Sequence, residues 1–190
     1  MVNEKLMTAE KLIKIHNDLE ALGVDMILDG GWGVDALLGK QTRDHKDVDF
    51  FIDESNLEKV KKYFTDNGYK PSETEPSTAW HFLLENTDTI VDIHVLDIDE
   101  NGDGWYGPKE NNAIFKAESL SGNGNINGVK FRSLTPEYRV ECLTKAFGVI
   151  TRTGYTLKDS DYEDIAKLCK QFNIEMPEEY LVHWGGTKPF

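Results

Sequence analysis

Two aspartates that stand one residue apart within a run of large apolar side chains constrain the fold of this sequence most strongly. The segment reads Asp47-Val48-Asp49-Phe50-Phe51-Ile52. Because successive side chains of a strand point to opposite faces, this alternation predicts a strand over residues 47–52 with both aspartates on one face. Carboxylates among such apolar neighbours are costly unless something neutralises them. The segment therefore predicts a cation site, with a solvated, charged strand edge as the alternative.

A glycine-rich segment precedes the aspartates. Gly30-Gly31-Trp32-Gly33 follows a predicted buried strand over residues 24–28 and comes before a predicted short helix over residues 34–38. A glycine turn at the start of a helix lets backbone N–H groups approach a phosphate, and the helix dipole favours the negative charge. The spacing matches neither a Walker loop nor a dinucleotide fingerprint, so a tight turn that needs positive φ is an equal alternative. Arg43 and Lys46 follow, and they are cations that a triphosphate could use.

A third acid lies on a later predicted strand over residues 90–96. Val91, Ile93 and Val95 alternate there with Asp92 and His94, so the acid and the imidazole share the face opposite the aliphatic row. Three carboxylates with only oxygen donors suit Mg²⁺, which substrate phosphates usually complete. We therefore expect Asp92 to join the aspartate pair.

The remaining pattern predicts an α/β fold of the α+β type, in which a short mixed sheet is flanked by helices and followed by a C-terminal helical subdomain. We expect an α/β domain over residues 1–134 and a helical subdomain with a tail over residues 135–190. Capping boxes are predicted at Ser55–Glu58 and Ser160–Glu163. Further helices are predicted over residues 8–22, 57–67, 135–150 and 160–172. Further strands are predicted over residues 69–71, 79–84 and 129–133. Polar loops are predicted over residues 97–107 and 121–128.

The charge of the chain limits its partners. Lys and Arg total 21 against 34 Asp and Glu, which gives a net charge of -13 and argues against long nucleic acid. The same charge favours small cationic substrates, although solubility alone would also explain it. Only two cysteines occur and no segment has the length of a membrane span, so we expect a cytoplasmic protein without a disulfide framework and without a membrane partner.

The motifs together resemble a known superfamily. Gly30-Gly31-Trp32, then Arg43 to Asp49, then Val91-Asp92-Ile93-His94, are similar to the DNA-polymerase-beta-type nucleotidyltransferases. More narrowly, they resemble the antibiotic-modifying branch, which comprises the aminoglycoside 2″-nucleotidyltransferases and the small lincosamide nucleotidyltransferases. The tightest match covers residues 28–53, and Gly128 to Glu137 resembles the strand that leads into the helical part of that family.

The resemblance implies transfer of a nucleoside monophosphate, AMP from MgATP, to a drug hydroxyl with loss of pyrophosphate. It implies that Asp47 and Asp49 hold Mg²⁺. Asp92 would be the third acid, either a metal ligand or the base that takes the hydroxyl proton. Backbone and side-chain donors would cradle the triphosphate, and these are Gly30, Gly31 and Arg43.

The acceptor is less well defined by the sequence. The resemblance implies that His94 lies beside it and that Tyr155 walls its site, while the loops 71–78 and 97–107 match neither drug subfamily. We expect an amine-bearing antibiotic, whose cation suits an acidic cleft. Two other functions remain open: a toxin-like transferase that acts on a protein or an RNA end, and a nucleotide-binding module without turnover. Some members of the branch form their site across a homodimer, and the sequence leaves that state open.

Overall fold

The central strand of the fold is the predicted aspartate strand. In the computed structural model, which describes residues 5–74, 77–111, 113–143 and 157–190, this strand lies within one mixed sheet. Nine strands of the described residues belong to the sheet: β1 (Ile27–Leu28), β2 (Asp47–Asp53), β3 (Lys70–Pro71), β4 (His81–Glu85), β5 (Ile90–Ile98), β6 (Gly104–Tyr106), β7 (Ile114–Phe115), β8 (Gly122–Ile126) and β9 (Val129–Ser133).

The strand order brings the predicted acids together. The main path runs β3-β4-β5-β2-β1-β9-β8, and β6 and β7 extend from the far end of β5. β2 runs parallel to β5 and antiparallel to β1, while β1 runs parallel to β9. In the β2–β5 register Asp49 lies directly opposite Asp92. The mixed sheet, together with its flanking and C-terminal helices, confirms the predicted fold class.

Six α-helices occur in the described residues. They are α1 (Ala9–Ala21), α2 (Gly30–Leu38), α3 (Leu57–Asp66), α4 (Pro136–Cys142), α5 (Asp159–Phe172) and α6 (Glu178–Leu181). The Thr8 side chain accepts a hydrogen bond from the Lys11 amide and so caps α1, as predicted. None of the helices in the described ranges combines the length and the apolar character that a crossing of the lipid bilayer requires.

Hydrophobic packing divides the molecule into three regions. The largest core lies between one face of the sheet and helices α1 and α3, and it includes Leu12, Leu19, Val48, Phe50, Ile52, Val60 and Phe64. The opposite face of the sheet packs a second cluster around Phe51, Leu96 and Phe115. A third cluster joins α2 to α4, α5 and α6 through Val34, Val140, Ile165, Leu168 and Tyr180. The third cluster holds α5 close to the segment that follows α2.

The predicted glycine turn ahead of a helix over residues 34–38 was wrong. Gly30, Gly31 and Gly33 belong to α2 itself, which begins at Gly30. Gly30 has a φ of +59°, so the alternative of a glycine with positive φ is correct at this one position. The phosphate-binding hypothesis survives the correction, because the free N–H groups of a helix lie in its first turn.

Both predicted capping boxes were also wrong, because a neighbouring acid caps in each case. The Asp53 carboxylate accepts from the Ser55 amide and begins a 3₁₀ turn before α3. At α5 the Asp161 carboxylate accepts from the Lys158 amide at 2.8 Å, so the helix begins at Asp159. The helical pattern over residues 160–172 predicts that Phe172 points inward, but its side chain is exposed at the end of α5.

The two predicted polar loops contain strands. The segment 97–107 includes the end of β5 and all of β6, and the Gly- and Asn-rich segment 121–128 includes β8. A Cβ on Gly124 would overlap the backbone of Ala36, and a Cβ on Gly122 would overlap the backbone of Leu134. These glycines therefore serve close packing of β8 rather than a turn. The predicted end of the helix from residue 135 to residue 150 lies outside the described residues.

Candidate active site

Carboxylates from two neighbouring strands and from the residue that precedes α2 meet at one cleft of about 650 Å³. Asp47 and Asp49 lie on β2, Asp92 lies beside Asp49 on β5, and Asp29 directly precedes α2. The Asp29 amide donates to the Asp49 carbonyl at 2.9 Å, which fixes the start of α2 against β2. The sheet therefore gathers four acids within a small volume.

The charge of Asp49 is poorly stabilised by the protein. Burial, with the negative charges of Asp47, Asp92 and Asp29, raises the pKa of the Asp49 carboxyl well above its usual range, and Arg139 offsets only part of this effect. Within the described residues neither Asp47 nor Asp49 forms an ion pair with a lysine or arginine. Such a pair of oxygen donors fits a hard divalent cation, which would supply the missing positive charge. The donor set is therefore suited to Mg²⁺.

Glycine at the start of α2 allows the helix to close on the acids. A Cβ on Gly30 would overlap the Asp49 carboxylate. A Cβ on Gly31 would overlap Arg43 and would lie 2.6 Å from the His45 ring. Any larger residue would push the first turn of α2 away from the cleft. The two glycines therefore bring backbone N–H groups and the acids to the same place.

Asp29 has a cation from the C-terminal helices. The Arg139 guanidinium on α4 lies 3.1 Å from Asp29 Oδ1, and both side chains are largely buried. The charges of Asp29, Asp49 and Asp164 raise the pKa of Arg139 against its burial, so this guanidinium stays charged. Among the residues that the structure describes, its Nε has no hydrogen-bond partner. Arg139 thus gives the acidic cleft one fixed positive charge.

Asp92 is held by two imidazoles. His81 Nε2 on β4 lies 2.7 Å from Asp92 Oδ1, and His94 Nε2 on β5 lies 3.3 Å from the same oxygen. His81 and His94 are direct cross-strand partners with stacked rings. The Tyr106 hydroxyl on β6 lies 3.0 Å from His94 Nδ1. These contacts fix the orientation of the Asp92 carboxylate.

Arg43 belongs to a buried network at the other side of α2. Its Nη2 donates to Asp164 Oδ2 on α5 at 3.0 Å, and its Nη1 lies 3.0 Å from His45 Nδ1. His45 Nε2 in turn lies 2.6 Å from Asp35 Oδ2, and the Thr42 hydroxyl donates to the other Asp35 oxygen. Asp35, His45 and Asp164 are buried. The network holds the guanidinium at the edge of the cleft.

With two exceptions, the predicted site residues lie close to one another. Six of them line the same cleft: Gly30, Gly31, Arg43, Asp47, Asp49 and Asp92. His94 contacts Asp92 but was predicted to lie beside the acceptor, and that role stays a prediction. Tyr155 lies outside the described residues.

Sequence reasoning missed Asp29, His81, Arg139 and Asp164. The sequence alone gives no sign that His81 is more than an ordinary histidine, because its pairing with His94 follows from strand register and not from spacing. Asp164 and Arg139 reach the cleft through helix packing, which leaves no local pattern in a sequence. Asp29 did have a signal, since it directly precedes the glycine segment.

Cys142 also lines the cleft but is unsuited to covalent chemistry. Burial raises the pKa of its thiol well above its usual range, so the reactive thiolate is not formed near neutral pH. The cleft therefore presents carboxylates, cationic side chains and an imidazole, but no reactive thiolate.

Comparisons with known proteins agree with this geometry. The profile of the aminoglycoside-2″-adenylyltransferase family matches residues 11–168. A lincosamide resistance protein of Staphylococcus haemolyticus is 29% identical over 169 residues, which cover 85% of this chain and 94% of that protein.

Two solved structures are also similar to this chain. The lincomycin-bound lincosamide antibiotic adenylyltransferase LnuA is similar with a TM-score of 0.72 and 28% identity, over 90% of this chain and all of that one. ANT(2″)-Ia in complex with adenylyl-2″-tobramycin has a TM-score of 0.65 at 18% identity, over 85% of this chain and 87% of that one. At that identity the second likeness concerns the fold alone.

Proposed function

The chain belongs to the aminoglycoside-2″-adenylyltransferase family, and from this premise we propose that it transfers AMP from ATP to a hydroxyl of a lincosamide antibiotic. As an adenylyltransferase it uses ATP as co-substrate and releases pyrophosphate. The observation that carries the proposal is the register of β2 and β5, which sets the unpaired acids Asp47 and Asp49 beside Asp92.

The choice of a lincosamide rests on two relatives. The lincosamide resistance protein and the lincomycin-bound enzyme are 29% and 28% identical to this chain, and this chain spans 94% and 100% of their lengths. The aminoglycoside-modifying enzyme is more distant in sequence, at 18%. An aminoglycoside is the second candidate, because the matching family profile carries that name. Either drug class is cationic and suits an acidic cleft.

We propose that Asp47 and Asp49 hold Mg²⁺, with Asp92 near enough to share it. When bound, Mg²⁺ would supply positive charge to the triphosphate oxygens on which charge grows as pyrophosphate leaves. The first-turn amides of Gly30 and Gly31 would donate to phosphate oxygens, and Arg43 would add a guanidinium. These groups bind and orient the triphosphate before the reaction, so they need little rearrangement during it.

Asp92 is the proposed base. It would accept the proton of the acceptor hydroxyl while that oxygen bonds to the α-phosphorus and the bond from the α-phosphorus to pyrophosphate breaks. His81 and His94 would keep the Asp92 carboxylate turned toward the acceptor, as their contacts with Oδ1 support.

The cleft is lined both by residues 29–92 and by Arg139 and α5, which supports the proposed division into 1–134 and 135–190.

The test is pyrophosphate release from MgATP over a panel of lincosamides and aminoglycosides, with the product identified by mass. We expect release with lincomycin and clindamycin and a product heavier by one AMP residue. Release only with tobramycin or kanamycin would move the proposal to aminoglycosides. ATP binding without release on any drug would favour a transferase for a protein or RNA end, or a non-catalytic module. A homodimer and a cytoplasmic location stay predictions.

A further inference from the structure

Two histidines and one aspartate form a compact group with ligand atoms for a transition metal. His81, Asp92 and His94 each offer one ligand atom, and the three atoms lie within 4.8 Å of one another. The two histidines are cross-strand partners on β4 and β5, and Asp92 stands two residues before His94 on the same face. The sheet register alone therefore brings the three side chains together. We refer to them as the His81–Asp92–His94 group.

The chemistry of this group differs from that of the aspartate pair. Imidazole nitrogens suit Zn²⁺, whereas Mg²⁺ prefers oxygen donors. Two histidines and one carboxylate also match the three-ligand pattern of open zinc sites, in which a fourth position stays available to water. The three side chains are 12 to 13% exposed, so solvent reaches the group. From the geometry we propose that this group binds Zn²⁺ and that the bound ion inhibits adenylyl transfer.

The two distances to Asp92 come close to those of a tetrahedral ion, and the ligand atoms of the two histidines lie within 4.8 Å of each other. With metal–ligand bonds near 2.1 Å, ligand atoms of a tetrahedral zinc site stand about 3.4 Å apart. His94 Nε2 lies 3.3 Å from Asp92 Oδ1. The 2.7 Å contact of His81 Nε2 with the same oxygen must lengthen by about 0.7 Å to reach that spacing.

The surroundings of the group also favour a bound ion. Metal-binding histidines usually use the second ring nitrogen in a hydrogen bond, which fixes the ring. His94 has such a contact, since its Nδ1 lies 3.0 Å from the Tyr106 hydroxyl. The net charge of -13 further raises the local concentration of cations.

Inhibition follows from the shared aspartate. Asp92 lies directly opposite Asp49 and is the proposed base. A zinc ion on Asp92 Oδ1 would draw electron density from the carboxylate and so weaken it as the acceptor of the hydroxyl proton, and it would place positive charge close to the magnesium-binding pair. This part rests on the proposed function, whereas zinc binding itself does not.

The first experiment measures binding in the full chain without nucleotide. Co²⁺ serves as the probe, because its visible absorption is much stronger in a tetrahedral or five-coordinate site than in water, and Zn²⁺ is then used to displace it. We expect His81→Gln and His94→Gln each to weaken Co²⁺ binding by about tenfold or more. Glutamine keeps an N–H donor for Asp92 but is a poor ligand for zinc. His16→Gln is the matched control, since His16 packs on Phe131 away from the group.

A cobalt spectrum equal to that of the ion in buffer, or unchanged binding in both glutamine variants, would overturn the site.

The second experiment measures adenylyl transfer at fixed free Zn²⁺, set by a zinc buffer because ATP also binds the ion. Relative to the rate of each protein without zinc, wild-type and His16→Gln protein should lose activity at zinc concentrations that do not change the rate of His81→Gln. Equal inhibition of all three would mean that zinc acts at Asp47 and Asp49, and the inhibitory role would fall. Failure of the proposed transfer on every drug would leave the cobalt result unaffected, so the two failures are distinguishable.

Discussion

Two groups of acids lie near the start of α2, and they are neutralised in different ways. Asp35 and Asp164 have partners within the protein, namely His45 and Thr42 for the first and Arg43 and Lys167 for the second. Asp47 and Asp49 form no ion pair within the described ranges, and the pKa of Asp49 is raised by burial and by its acidic neighbours. We refer to these as the paired acids and the unpaired acids.

The comparison between paired and unpaired acids distinguishes acids that stabilise the fold from acids that take part in binding. An acid with an internal partner contributes to the fold, and its removal leaves that partner buried and unsatisfied. An acid without one costs folding energy until a cation arrives from outside. The number of aspartates near a cleft therefore says little, while the source of their positive charge distinguishes a structural role from a role in binding.

The largest effect is expected from the unpaired acids. Asp49→Asn should lower kcat/KM for ATP by about a thousandfold, because it removes a proposed metal ligand and the charge that holds it. The measurement is steady-state pyrophosphate release with lincomycin. Asp66→Asn at the exposed end of α3, where Asp66 pairs with Lys62, is the control and should retain full activity. If Asp49→Asn retained transfer within tenfold, the metal role of the unpaired acids would be wrong.

The paired acids should instead govern stability. Asp35→Ala removes the partner of His45 Nε2 and of the Thr42 hydroxyl in a buried setting, and we expect a loss of about 3 kcal/mol in the free energy of unfolding. Urea unfolding followed by fluorescence measures it. The control is Asp25→Ala, which breaks an exposed ion pair with Arg132 and should cost less than about 1 kcal/mol. Equal losses in the two variants would remove the distinction between buried partners and surface partners.

The unpaired acids were predictable from the sequence because strand alternation is a local property. Asp47 and Asp49 share a face for that reason, and Asp92 was assigned to the correct face of β5 in the same way. The paired acids were not predicted. Asp164 reaches Arg43 across 121 residues through the packing of α5 on α2, and no periodicity within either segment records that contact.

The limits of the fold prediction have the same origin. Gly122 and Gly124 suggested a loop, because glycine is common in turns. In the fold, glycine is needed at these two positions because β8 lies very close to the backbones of Leu134 and Ala36, which are distant in sequence. Likewise the start of α2 at Gly30 depends on contact with Asp49 and Arg43. Local patterns thus predicted the strands that carry the acids, while β8 and the start of α2 depend on tertiary contacts.

Arg43 connects the two groups and provides a sharper test. Arg43→Lys keeps one positive charge but loses the planar fork that reaches His45 and Asp164 together. We expect kcat/KM for ATP to fall by about ten- to a hundredfold, and the free energy of unfolding to fall by about 1 kcal/mol. Arg132→Lys, on β9 and outside the cleft, is the matched control and should leave kcat/KM unchanged. A loss of stability without a loss of kcat/KM would assign Arg43 to the paired acids alone.

The smallest predicted effect is a change in unfolding temperature, and it distinguishes the two groups of acids without a measurement of turnover. In buffer free of divalent cations, Asp49→Asn should unfold at the same or a higher temperature than wild-type protein, because the raised pKa of Asp49 means that its ionised form opposes folding. Mg²⁺ at about ten times its Kd should stabilise the wild-type protein by about 1.4 kcal/mol, or about 4 °C, and should stabilise Asp49→Asn far less. Differential scanning fluorimetry with and without Mg²⁺ measures both, and Asp35→Ala supplies the contrast, since it should start lower and still gain the magnesium shift. A full magnesium shift in Asp49→Asn would mean that the ion binds elsewhere, and the unpaired acids would then need another explanation for their lack of partners.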